Sequence, residues 1–331
     1  MISASALLVI IVVVAISFDF TNGFQDTANA VALTVSTRAL PPRLAVLIAA
    51  AANLGGAFAT VAVAKTVGQG IVDTHLATEV TVLAALLGAI VWNLIVWRLG
   101  LPSSSSHALI GGLVGAAFVQ SGANGVEWHG LVHKVLIPAL LSPAFGFFVA
   151  FLLLLGILWC FVWAAPGPAN RGFRWGQVCS GTFVAFVHGA NDAQKTMGVI
   201  SLALVENGSI SHFYVPTWVK LAAGLAIGAG TYAGGWRVMR TLGTRVFKIE
   251  PPSGFAAQVA GGAVLFVATK LGYPVSTTHT ISGAVMGAGA TRRLSAVRWG
   301  VAGNIVFAWL LTIPAAGLVA AACYWPLTGI F

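Results

Sequence analysis

The stretch Asn22-Gly23-Phe24-Gln25-Asp26-Thr27-Ala28-Asn29 recurs as His188-Gly189-Ala190-Asn191-Asp192-Ala193-Gln194-Lys195, and this pair decides the fold. A second motif follows each copy: Leu99-Gly100-Leu101-Pro102-Ser103-Ser104-Ser105-Ser106-His107, then Leu271-Gly272-Tyr273-Pro274-Val275-Ser276-Thr277-Thr278-His279. The offsets, Asp26 to Asp192 and His107 to His279, are 166 and 172 residues. Agreement to within a few residues across half the chain marks a duplicated unit, and the duplicated parts are the polar ones. Polar groups at membrane depth are expensive, so two matched sets point to joint use.

The surroundings of the motifs are apolar throughout. With 58% hydrophobic and 8% charged residues, the chain lies far from soluble composition, where about a quarter of residues are charged, and reads as a polytopic membrane protein. Apolar stretches are read at 1–18, 24–37, 44–64, 80–97, 102–119, 131–163, 175–187, 191–205, 217–236, 254–270, 274–290 and 299–325. A span needs roughly 20 residues, and the stretches too short to cross alone flank the motifs. No Lys or Arg precedes Arg38, so the opening run is expected as a membrane segment rather than a signal peptide. Cys160, Cys179 and Cys323 are scattered and indicate neither a disulfide framework nor a metal site. The formal charge of +9 sits mostly in short loops, where it reports orientation and not nucleic-acid binding.

Those loop charges alternate between the halves. Arg38 to Arg43 is basic where its counterpart, Glu206 to Pro216, has no Lys or Arg; Asp73 and Glu79 face Arg237, Arg240, Arg245 and Lys248 in the next pair. Gln120 to Gly130 carries only Glu127, against Arg292, Arg293 and Arg298 between Thr291 and Arg298. Basic loops placed in the cytoplasm give an inverted repeat with both termini outside: 1–163, a cytoplasmic linker 164–172, and 173–331. Residues 80–119 are either two spans or a re-entrant hairpin, and the Pro-Ser turn favours the hairpin, since irregular backbone at that depth must line a cavity or be buried in protein.

Asp26 and Asp192 are embedded in apolar sequence, where a carboxylate costs about 2.5–3.5 kcal/mol. Gly23 and Gly189 are expected to break the helix and free carbonyls, which with Asn22, Asn29, Asn191 and Gln194 supply oxygen ligands for an alkali cation at Asp26 and Asp192. Asp19 has no acidic match, because Ala185 stands there. The second motif places Pro and hydroxyl residues at a helix start, with Ser104, Ser105 and Ser106 in one half and Ser276, Thr277 and Thr278 in the other, so that two helix N-termini, meeting from opposite sides, form an anion site. Arg98 and Lys270 match by the same offset and either neutralise an anion or snorkel to the interface. Lys195 lies one turn beyond Asp192 and pairs with it or faces the anion. His107, His279 and His188 could carry protons, although a structural role is the default for each. Gly228 to Gly235 reads as close helix packing rather than a nucleotide loop.

Asn22 to Ala30, Gly189 to Lys195 and the two Pro-Ser/Thr-His motifs together resemble the signatures of the inorganic phosphate transporter (PiT) family, over essentially the whole chain. The resemblance implies a non-enzymatic secondary transporter that couples phosphate to a Na+ or H+ gradient, with no further cofactor. It implies Asp26, Asn29, Asn191 and Asp192 as the cation and transport-critical residues, and Ser104 to Ser106 with Ser276 to Thr278 as phosphate ligands. Gln25 departs from the Asn or His usual in the first copy, which leaves the coupling ion open, and a large soluble loop found between the halves of some members is lacking. The resulting expectation is an all-helical phosphate:cation symporter of the inner or plasma membrane, with a homodimer an open option. The rival readings are a sulfate symporter of the same family, an intramembrane aspartate-dependent hydrolase and a passive anion channel.

Overall fold

The computed structural model describes residues 4–331 and contains no strand among them, only one isolated bridge between Val72 and Val126. The first half contributes α1 (Ala4–Ser36), α2 (Pro42–Gly56), α3 (Ala62–Gln69), α4 (Glu79–Leu99), α5 (Ser105–Ser121) and α6 (Trp128–Cys160, which opens with a wide turn over Leu131–Leu136). The second repeats the order as α7 (Pro166–Glu206), α8 (Thr217–Ala233), α9 (Trp236–Arg240, running into a wide turn at Thr241–Arg245), α10 (Pro251–Lys270), α11 (Thr277–Arg292) and α12 (Trp299–Thr328). Local signals set many boundaries. Proline opens α2, α7 and α10 at the first helical position, where its missing N–H costs nothing, and Thr78 caps α4.

The structure corrects the expected helix breaks: α1 runs unbroken through Gly23 to Asn29, and α7 through His188 to Lys195. The glycines serve packing instead. A Cβ on Gly23 would lie 2.3 Å from the Ile227 carbonyl oxygen, and one on Gly189 2.1 Å from that of Asn53. Gly230 meets Phe20 and Gly56 meets Phe186 in the same manner, so α1 crosses α8 as α7 crosses α2, each helix pair joining the two halves. The glycine run around Gly230 is thus a packing element, as its sequence indicated. Most of the expected linker 164–172 is helical, because Pro166 already starts α7.

α4 with α5, and α10 with α11, form two antiparallel hairpins. Thr81 and Gln120 tie the base of the first, and an Arg292–Glu250 ion pair ties the base of the second. Their tips turn at Gly100 and Gly272, both left-handed with φ of 66° and 76°, a conformation that favours glycine. Each tip then lays Ser103-Ser104 or Val275-Ser276 down as buried extended backbone before the next helix begins. Residues 80–119 therefore form a helical hairpin, an arrangement shared by a re-entrant element and by two full spans, and α4 alone is long enough to cross a membrane. The last helix of each half packs on the other half's motif helix: Gly111 and Gly115 of α5 lie against Ile313 and Gly317 of α12, and Gly283 and Gly287 of α11 against Pro143 and Phe147 of α6. On their outer faces α6 and α12 expose Leu140, Phe148, Leu152, Phe307, Leu310 and Leu318. In a chain of this composition those faces meet lipid.

Candidate functional site

The N-termini of α5 and α11 meet head to head at the centre of the molecule. His107 and His279, matched in the repeat, have ring centroids 4.6 Å apart, and His279 also stacks on Trp309 at 4.1 Å. Ser104 and Ser276 are the capping residues; each hydroxyl accepts from the N–H three residues on, at 3.1 Å. Those serines are committed to the helix. The next positions face inward, and the N–H groups of Ser105, Ser106, Thr277 and Thr278 have no partner within their helices.

Against these helix starts lie α1 and α7. Asp26 accepts from Ser105 through Oδ2 and from Thr278 through Oδ1, both at 3.0 Å, so one carboxylate touches both hairpins. Ser105 also donates to Asn22 Oδ1 at 2.6 Å in a shared contact. Asn29 donates to Thr278 at 2.9 Å and Thr277 at 3.4 Å. Asn191 donates to Thr269 Oγ1 at 2.8 Å and the Tyr273 carbonyl at 3.2 Å. Lys195 pairs with Asp192, binds the Ser106 hydroxyl and donates to the Val275 carbonyl at 3.2 Å. None of the twelve residues from Asn22, Asp26, Asn29, Ser104 to Ser106, Asn191, Asp192, Lys195 and Ser276 to Thr278 is more than 3% exposed. The site is closed to solvent.

His188 is more central than its sequence suggested. The Thr231 hydroxyl donates to the Ile227 carbonyl at 2.8 Å, so it accepts from Asn53 Nδ2, also at 2.8 Å. That orientation turns Asn53 Oδ1 to His188 Nδ1 at 2.9 Å, and the network assigns Nδ1 as the donor. Nε2 then faces Asp192 Oδ2 at 3.2 Å and Asp26 Oδ2 at 3.8 Å. A nitrogen lone pair opposite two carboxylates is repulsive, so this cluster calls for a proton or a cation. One ligand atom from each of Asp26, His188 and Asp192 lies within 4.8 Å of the others, a spacing that fits a bound cation. Two carboxylates against one lysine also leave a net negative charge for such an ion to offset.

Other expected members lie elsewhere. Gln194 accepts from the N–H groups of Val63 and Ala64, at 2.8 and 3.2 Å, and caps α3. Gln25 is buried, with both amide atoms unpartnered. Arg98 and Lys270 are exposed in the last turns of α4 and α10, and Lys270 rests over the Phe266 ring at 5.6 Å. They correct the anion-neutralising alternative: long side chains at a helix C-terminus reach outward, where the dipole also favours them. Asn53 and Thr231 were missed. The available signal was a lone amide, Asn53, inside the alanine-rich run of α2, since an amide there needs a partner.

The fold and site define an all-helical, multi-pass membrane protein built from two repeats around a shared polar centre. A model described as the phosphate transporter family matches residues 22–320, and the chain belongs to that family. It is 49% identical to a "probable low-affinity inorganic phosphate transporter" of Rhizobium meliloti (strain 1021), covering 97% of this chain and 96% of the relative. A Bacillus subtilis (strain 168) relative of the same description is 42% identical, with 98% of each chain covered. A solved structure titled "The sodium-dependent phosphate transporter" superimposes with a TM-score of 0.88 at 26% identity, covering 98% of this chain and all of that one.

Proposed function

We propose that this protein carries inorganic phosphate across the cell membrane together with a cation, Na+ or H+, by alternating access. The observation that carries the reading is the convergence of two hydroxyl-lined helix N-termini on a sealed cluster of Asp26, His188, Asp192 and Lys195. Free N–H groups and hydroxyls of Ser105, Ser106, Thr277 and Thr278 suit phosphate oxygens. Asp26 and Asp192 would repel that anion, and a cation beside them removes the repulsion, so each solute stabilises the other in the closed state. The names of the relatives favour phosphate, and that of the structural neighbour favours sodium. We place the repeat boundaries at 163 and 173, with both termini outside, from the loop charges.

The test is uptake of labelled phosphate into proteoliposomes under separately imposed sodium and proton gradients. Phosphate retains a titratable proton near neutral pH, as phosphoesters do with a second pKa of about 6. Sulfate has acceptors only, so the acceptor carboxylates favour phosphate. Arsenate should therefore block uptake and a large excess of sulfate should leave it almost unchanged. Strong sulfate competition with indifference to arsenate would transfer the assignment to sulfate.

A further inference from the structure

Lys195 is the one Lys or Arg among the described residues that is buried, and it is completely so. The repeat gives it a counterpart. Asn29 follows Asp26 by three residues as Lys195 follows Asp192, and Ser106 matches Thr278 by the offset that relates His107 to His279. Asn29 donates to Thr278 at 2.9 Å, and Lys195 donates to Ser106. The two side chains thus make the same contact to the opposite hairpin, one as a neutral amide and the other as an ammonium.

Their consequences for the neighbouring acid differ. Beside Asp26 the chain provides oxygen atoms: the carboxylate, the Ser105 and Thr278 hydroxyls and the Asn29 Oδ1, which is buried without a partner. A hard cation takes ligands of this kind. Beside Asp192 the ammonium itself occupies Oδ1 and adds the Val275 carbonyl as a further acceptor. A diffusible cation at that point would sit against a fixed positive charge and lose the amide oxygen that Asn29 supplies in the other half.

We propose that Lys195 is a tethered cation, filling one of two symmetry-related cation positions, so that the chain supplies one positive charge of the cycle and takes only the other, at Asp26, from solution. The proposal deepens the symport reading and rests on it. Lys195 is a positioning and charge-neutralising residue by this account, and its identity sets how many cations accompany each anion.

Lys195→Asn restores the symmetry and is the main test. Sodium alone serves as probe, in the thermal unfolding of the purified protein and in labelled phosphate uptake. The variant should gain a sodium-dependent rise in unfolding midpoint beyond that of wild type. Its uptake should fall tenfold or more at low sodium, recover at high sodium, and rise more steeply with sodium concentration than in wild type. Lys195→Met, which provides no oxygen, should not recover. Asn29→Lys, which tethers a second cation, should remove any sodium stabilisation, and this keeps the idea testable if Lys195→Asn does not fold. No additional sodium stabilisation in Lys195→Asn, or uptake equally lost at all sodium concentrations in a folded variant, would overturn the proposal. Absence of phosphate uptake in wild type would instead defeat the symport reading, with the unfolding series still deciding the role of Lys195.

Discussion

Asn53→Leu tests whether His188 acts through its orientation. Asn53 is fully buried on α2, and its amide does two things: Nδ2 reaches Thr231 and Oδ1 holds His188 Nδ1. Leucine fills a similar space without either bond. Thr231 keeps its donation to Ile227, so the loss falls mainly on one buried N–H of the imidazole. An unpaired buried donor costs about 1–3 kcal/mol, which corresponds to about 5- to 150-fold in an equilibrium. If the ring must point Nε2 at Asp26 and Asp192 for the cluster to hold its proton or cation, uptake per folded transporter should drop by a factor in that range. Thr231→Val leaves Asn53 present but unsteered and should give a smaller loss. The assay is phosphate uptake in proteoliposomes normalised to folded protein, run beside thermal unfolding in detergent. Lowered unfolding midpoints with unchanged uptake per folded molecule would refute the reasoning and leave His188 a structural contact.

The two acids should respond differently. Asp192→Asn strands the Lys195 ammonium, and removal of one partner of a buried pair costs about 3–5 kcal/mol, so this variant should lose both stability and uptake. Asp26→Asn strands no cation and should lose uptake while melting close to wild type; equal melting of the two variants would show that the ion pair contributes little. For topology, cysteines placed near Asp73 and near Thr244, with Cys160, Cys179 and Cys323 removed, should be labelled by impermeant reagents from opposite sides of intact cells. Labelling from one side would overturn the orientation drawn from the loop charges.

Much of this architecture was legible because duplication exposes function without any knowledge of contacts. The paired Asp and Pro-Ser/Thr motifs located both helix starts and both acids. Their meeting followed from the opposed loop charges. Gly23 and Gly189 were misread for a physical reason: glycine weakens a helix but also lets another backbone approach, and only the crossing partner decides which effect matters. In both cases the partner is a carbonyl of the other half. Asn53 and Thr231 were invisible as a pair because they lie 178 residues apart and do not occupy matched positions. The sequence places Gln194 beside Asp192, but its side chain leaves that helix face to cap α3.

The exchange of elements between halves explains how so polar a centre can be closed. Each acid-bearing helix is crossed by the second helix of the other half, and each hydroxyl-bearing helix by the other half's last helix, so neither half encloses its motifs alone. Asp26 joins the first hairpin through Ser105 to the second through Thr278, while Lys195 joins Ser106 of the first to Val275 of the second. The charged groups that meet the ions are therefore also the ties between the two tips. On the symport reading, a tip cannot swing towards either face without breaking a contact to Asp26 or Lys195, and those contacts depend on the charge held beside them. Binding and closure then share one set of atoms, which is the physical requirement for a carrier whose gate responds to the occupancy of its own site.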